Sequence, residues 1–181
     1  MNKIFFITDQ EAYTDTSFIG TIFQKYLNRH FEINTIFFSK FKTDIELKDD
    51  GRIIIPENLS SNLLEELDRK GIAIKDFAFV VVRNNTTLLK DVLKKRIKYN
   101  YKVGFRLSFP KRIAKLQTDE ANNKKSFFDI INNKIQTFSE ISLINECDIF
   151  LPTSFQMKND YFKDVKTRTF VIPSAIDPDV L

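Results

Sequence analysis

Short apolar runs recur along the chain at residues 3–8, 33–38, 77–82, 102–105, 149–151 and 169–172, and segments with helical periodicity lie between them. Several of these runs are apolar at nearly every position. A strand of that kind has both faces covered, as in a parallel sheet with helices on either side. The alternation therefore predicts an α/β fold, a Rossmann-like, doubly wound parallel sheet forming a single domain over residues 1–181. Domains of roughly 100–200 residues have room for the core this requires.

Composition narrows the class. Hydrophobic residues make up 43% and charged residues 29%, which excludes a disordered chain. One cysteine, Cys147, cannot form an internal disulfide, and the first apolar run is too short for a signal peptide, so a cytoplasmic setting is expected. No stretch reaches the ~20 apolar residues that cross a bilayer, which leaves peripheral contact as the membrane option.

The helices have legible starts. Thr16 and Ser17 can cap a helix to about Arg29, with Phe18, Ile22 and Tyr26 inward. Asn62 with Glu65 opens another near 63–70, and Asn85 or Thr86 a third. In the third, Leu89, Val92, Leu93 and Ile97 form an apolar stripe, with Lys90, Lys94, Lys95 and Lys98 opposite or beside it. A long helix over about 125–146 repeats Phe128, Ile131, Ile135, Phe138 and Ile141, a stripe read as core packing. Thr153 and Gln156 form a capping box for a short helix to about Phe162. Residues 44–56 interrupt the alternation: Asp50-Gly51 between β-prone residues signals a hairpin or an extra strand. Residues 110–125 lack periodicity and read as a loop.

The net charge of +4 is uneven. Residues 90–125 hold twelve Lys or Arg against three acids, so the rest of the chain is net negative. A local basic field favours an anionic partner: a phosphorylated substrate, an anionic lipid surface or a nucleic acid. A solvated helix face plus a loop explains the same charges.

In an open parallel sheet, ligands gather at the carboxyl ends of the strands. Arg83 and Arg106 each follow a strand directly there, and a guanidinium can clamp phosphate or carboxylate. A structural ion pair is the alternative for both. The four glycines form neither Gly-x-Gly-x-x-Gly nor a phosphate loop, which disfavours a dehydrogenase or a nucleoside triphosphatase. His30 is the single histidine and Cys147 the single cysteine, so neither a transition-metal site nor a Cys-His nucleophile is supported.

Glu140, then Cys147-Asp148-Ile149-Phe150-Leu151-Pro152-Thr153-Ser154, then Phe170-Val171-Ile172-Pro173-Ser174-Ala175-Ile176-Asp177-Pro178, resembles the closing part of the N-terminal domain in family-4-type glycosyltransferases of the GT-B fold. That pattern has an acid on the long helix, Ala-Asp before a strand, Ser at the next helix start, and Ile-Pro-Asn-Gly-Val-Asp leading into a second domain. The resemblance implies a retaining transfer of sugar from a nucleotide-sugar to a glycan or lipid-linked acceptor, with no metal or other cofactor. The chain would be the acceptor-binding half, inactive alone, and a C-terminal domain that it lacks would hold most of the donor. By position the cleft candidates are Ser17, Gly20, Arg83, Arg106, Ser108 and Ser154, and no catalytic residue is assigned.

The chain departs from the pattern in three places. Thr16-Ser17-Phe18-Ile19-Gly20 stands where a glycine pair is common, Leu107-Ser108-Phe109 where a histidine is common, and Ala175 where glycine is usual. Such enzymes often work at the inner membrane face, which suits an anion or membrane patch at Lys90, Lys94, Lys95 and Lys98. The competing expectation is a flavodoxin-like regulatory or nucleic-acid-binding module using the basic 90–125 segment. It ranks lower because only Tyr99 and Tyr101 offer stacking surfaces among the basic residues.

Overall fold

The computed structural model describes residues 2–11, 27–108 and 127–173. Seven strands form one sheet: β1 (Lys3–Glu11), β2 (Glu32–Ser39), β3 (Glu46–Leu47), β4 (Arg52–Pro56), β5 (Phe77–Arg83), β6 (Lys102–Leu107) and β7 (Ile149–Pro152). Their order is β3-β4-β2-β1-β5-β6-β7. Every pairing is parallel except β3 with β4. Without the antiparallel edge, the parallel strands run third, second, first, fourth, fifth, sixth in chain order. That is the doubly wound Rossmann-like arrangement, with its switch point between β1 and β5.

The described helices are α1 (Leu63–Arg69), α2 (Thr86–Tyr99), α3 (Phe127–Asn145) and α4 (Phe155–Tyr161). The larger core cluster lies on one face of the sheet: Phe5, Ile7, Ile36, Val80, Val82, Val103, Phe105 and Phe150 meet Leu63, Leu67, Leu89, Val92, Ile144 and Phe162 from the helices and their ends. Six phenylalanines are among its buried residues. The rings of Phe5 and Phe77 stack, and Phe150 meets Phe105 face on and Phe162 edge on. On the other face Phe6, Ile33, Val81 and Leu151 form a second cluster. Burial on both faces is what the nearly continuous apolar runs require.

The hairpin expected around Asp50-Gly51 is present. Lys48 and Arg52 close it by a backbone hydrogen bond of 2.9 Å, and Gly51 takes a φ of +85°. Its second strand does more than expected, because β4 also pairs with β2 and extends the parallel sheet. The expected strand at 169–172 is reduced to one parallel bridge between Thr169 and Phe150, with hydrogen bonds from Phe170 to Phe150 and from Ile172 to Pro152 along the outer edge of β7.

Three local expectations change. Asn62 makes no side-chain cap, because a 3-10 helix (Glu57–Asn62) winds directly into α1 and Glu65 turns instead to Lys95. Ser154 rather than Thr153 caps α4, accepting from the Met157 amide at 3.0 Å, while Thr153 donates its hydroxyl to the Ser108 carbonyl. Two apolar stripes expected in the core lie only partly in it. Ile97 is 88% exposed, and Phe128, Ile135 and Phe138 on α3 are 74%, 61% and 76% exposed. Helix α3 is anchored by its C-terminal end, where Ile144 is buried and Ile141 and Leu143 pack against the core. Helical spacing reports that one face is apolar, not what lies opposite it.

Candidate anion-binding site

Arg83 ends β5 and Arg106 lies opposite it in β6, paired in register at the carboxyl edge of the sheet. On the far side of Arg106 stands Leu151 of β7. In β6, Val103, Phe105 and Leu107 belong to the larger core, so alternation turns Gly104 and Arg106 to the other face. Gly104 has little room: a Cβ there would come within 3.0 Å of Ile149 Cγ2 and 3.2 Å of Val81 Cγ2. Close packing along that face of β5, β6 and β7 surrounds the base of the Arg106 side chain.

The two guanidinium groups differ in state. Arg83 is half-buried and donates from Nε to Ser108 Oγ at 3.0 Å. Arg106 is 1% exposed, and its Nε and Nη1 have no hydrogen-bond partner among the described residues. Burial pushes the Arg106 guanidinium down to about 10, and the charge of Arg83 pushes in the same direction. Among the described residues no carboxylate offsets either effect.

The rim around the pair is tied together. Asn84 adopts a left-handed backbone, φ 54°, in which its amide donates to the Arg106 carbonyl and its Oδ1 accepts from the Ser108 amide at 2.8 Å. Left-handed geometry in a residue other than glycine is a strained choice, and such strain collects at functional sites. The next residue, Asn85, caps α2 by accepting from the Leu88 amide at 2.9 Å. At the opposite end of the strands, Asp148 Oδ2 accepts from the Val103 amide at 2.8 Å, which holds β6 beside β7 where the resemblance places an acid.

Of the expected cleft residues, Arg83, Arg106 and Ser108 come together, and Ser154 stands near them on the loop after β7 with its hydroxyl oxygen engaged in capping α4. Ser17 and Gly20 lie outside the described residues. Asn84 and Thr153 belong to the rim and were not anticipated. The signal available for Asn84 was the Arg83-Asn84-Asn85 step from strand to helix, where asparagine tolerates the left-handed turn. Glu140 is half-buried on α3. Cys147 is buried, and that burial pushes its thiol up to about 12, which leaves it inert at neutral pH.

The lysine patch divides. Lys90 and Lys94 are exposed and line a cleft of about 370 Å³ with Ser60, Ser61, Asn85 and Thr87. Lys95 is half-buried between Asp91 at 2.7 Å and Glu65 at 2.5 Å, so its charge is internally matched. Lys98 lies over the Tyr99 ring, 4.6 Å from its centroid, and remains exposed. Among the described residues no group of three or more His, Cys, Asp or Glu side chains is arranged to hold a metal ion, and no helix is long and apolar enough to cross a membrane.

Compared with known proteins, the chain matches no family model and no curated sequence.

Proposed function

We propose that this chain is the acceptor-binding half of a glycosyltransferase that moves a sugar from a nucleotide-sugar to a glycan or lipid-linked acceptor. The observation that carries the reading is the paired arginines at the carboxyl edge of a sheet wound third, second, first, fourth, fifth, sixth. Each half of a two-domain transferase of this kind presents such an edge to the crevice between them. The sequence pattern from Glu140 to Pro178 supports the assignment independently.

In this mechanism the half contributes binding and orientation. The strand ends, held in register by Asn84 and Thr153, present a rigid rim against which an acceptor hydroxyl is positioned; rigid positioning of this kind lowers the entropic part of a transfer barrier. Arg83 and Ser108 supply directional hydrogen bonds at that rim. The donor nucleotide is held chiefly by the partner half. Lys90, Lys94 and Lys98 suit an anionic membrane surface beside the acceptor, and Lys95 takes no part in it.

The test is calorimetric titration of the full-length protein with a panel of uridine-, guanosine- and adenosine-diphosphate sugars. One of them is expected to bind saturably and to be consumed, with release of the nucleoside diphosphate, when extracted glycan or lipid acceptors are added. Binding of none of the panel overturns the sugar-transfer reading.

A further inference from the structure

We infer that Arg106 and Ser108 receive a phosphoryl group carried by the ligand. The inference rests on the reading of the carboxyl edge as the ligand cleft. A buried donor that lacks an acceptor has lost its hydrogen bonds to water and recovered nothing in return. Arg106 has two such nitrogens, Nε and Nη1, at 1% exposure. A guanidinium kept for the fold would be paired with a carboxylate or with backbone carbonyls, as Arg96 is with the Glu146 carbonyl at 2.6 Å. Among the described residues Arg106 has neither, and its charged neighbour is a second cation, Arg83.

Ser108 adds a donor. Its Oγ accepts from Arg83 Nε, which leaves the hydroxyl hydrogen to point at a ligand. It stands two residues beyond Arg106 in the chain, where a pleated strand would return to the same face. With Arg83 paired opposite Arg106 and bonded to Ser108, two cations stand beside this hydroxyl. A carboxylate carries one negative charge, whereas a phosphate monoester carries nearly two and offers three terminal oxygens. The half-buried Arg83 and Ser108 mark the side from which the group reaches Arg106. The same chemistry is presented by a soluble sugar phosphate and by the headgroup of a phosphorylated lipid.

The full-length protein is titrated at constant ionic strength with inorganic phosphate, glycerol 3-phosphate and acetate, read by calorimetry and by thermal unfolding. Flotation is run in parallel with phosphatidylcholine vesicles, plain or containing phosphatidic acid. Expected is saturable binding of both phosphates with a raised Tm, weak or no response to acetate, at least a tenfold weaker response in Arg106→Lys, and none in Arg106→Met. Ser108→Ala, a change that leaves the strand intact, is expected to weaken phosphate binding severalfold. Flotation lost on Arg106→Met, with no response to the soluble phosphates, assigns the group to a lipid headgroup. An unchanged phosphate response in Arg106→Met, equal responses to acetate and phosphate, or no response to phosphate in any form overturns the inference. Phosphate binding through Arg106 without binding of any nucleotide-sugar removes the sugar-transfer reading and leaves this site standing; the reverse result removes this site alone.

Discussion

Arg106 is all but closed to water, and among the described residues no acid offsets its charge. Because its folded value falls to about 10, below the ordinary guanidinium range, the unfolded chain binds the proton more tightly than the folded one. Stability from this group therefore rises with pH through a window that starts near 10, and the full penalty is present at neutral pH. Arg106→Met keeps an unbranched stem of smaller volume and removes the charge. In the absence of ligand it is expected to raise stability by about 1–3 kcal/mol at pH 7, as replacement of buried ions by apolar groups often does. The advantage should shrink above pH 10, read as the difference between the two urea-unfolding curves across pH. If the variant is instead less stable throughout, the guanidinium serves the fold and not a ligand.

Among the elements, the β3–β4 hairpin is the one whose geometry depends most on a single residue. Gly51 has a φ of +85°, and a Cβ there would stand 2.8 Å from the Ile33 carbonyl oxygen, a backbone atom near the start of β2. Gly71 has a similar φ, +83°, with nothing within 4 Å of the same position. Both alanine variants incur the left-handed penalty of roughly 1–2 kcal/mol, and only Gly51→Ala adds the collision. Gly51→Ala is thus expected to lose measurably more stability in denaturant than Gly71→Ala. Equal losses would show that β2 and β4 can separate without cost. Helix α3 poses the opposite case, since its apolar face was legible as periodicity yet Phe128, Ile135 and Phe138 are exposed.

For the whole molecule, the distribution of charge selects one helix face. With Lys95 neutralised by Glu65 and Asp91, the outward cations of α2 are Lys90, Lys94 and Lys98. Each cation near an anionic surface contributes about 1 kcal/mol at moderate salt. The protein is expected to float with anionic vesicles at low salt and to be released as salt rises, with Lys90→Glu plus Lys94→Glu weakening flotation strongly. Retention of full binding by that double variant would remove α2 from the membrane-facing surface.

Strand and helix alternation, the parallel sheet class and the Asp50-Gly51 hairpin were all readable in the chain by itself, because periodicity, capping and a glycine turn are local properties. The arginines at strand ends were readable too, as positions along the chain. What only the tertiary structure decided is the strand order that sets Arg83 beside Arg106, the left-handed Asn84 and the Thr153 bond that lock their rim, and the difference between a half-buried guanidinium and a buried one with no partner among the described residues. Burial and pairing depend on what stands opposite a side chain across the fold, and residues distant in sequence supply that surrounding.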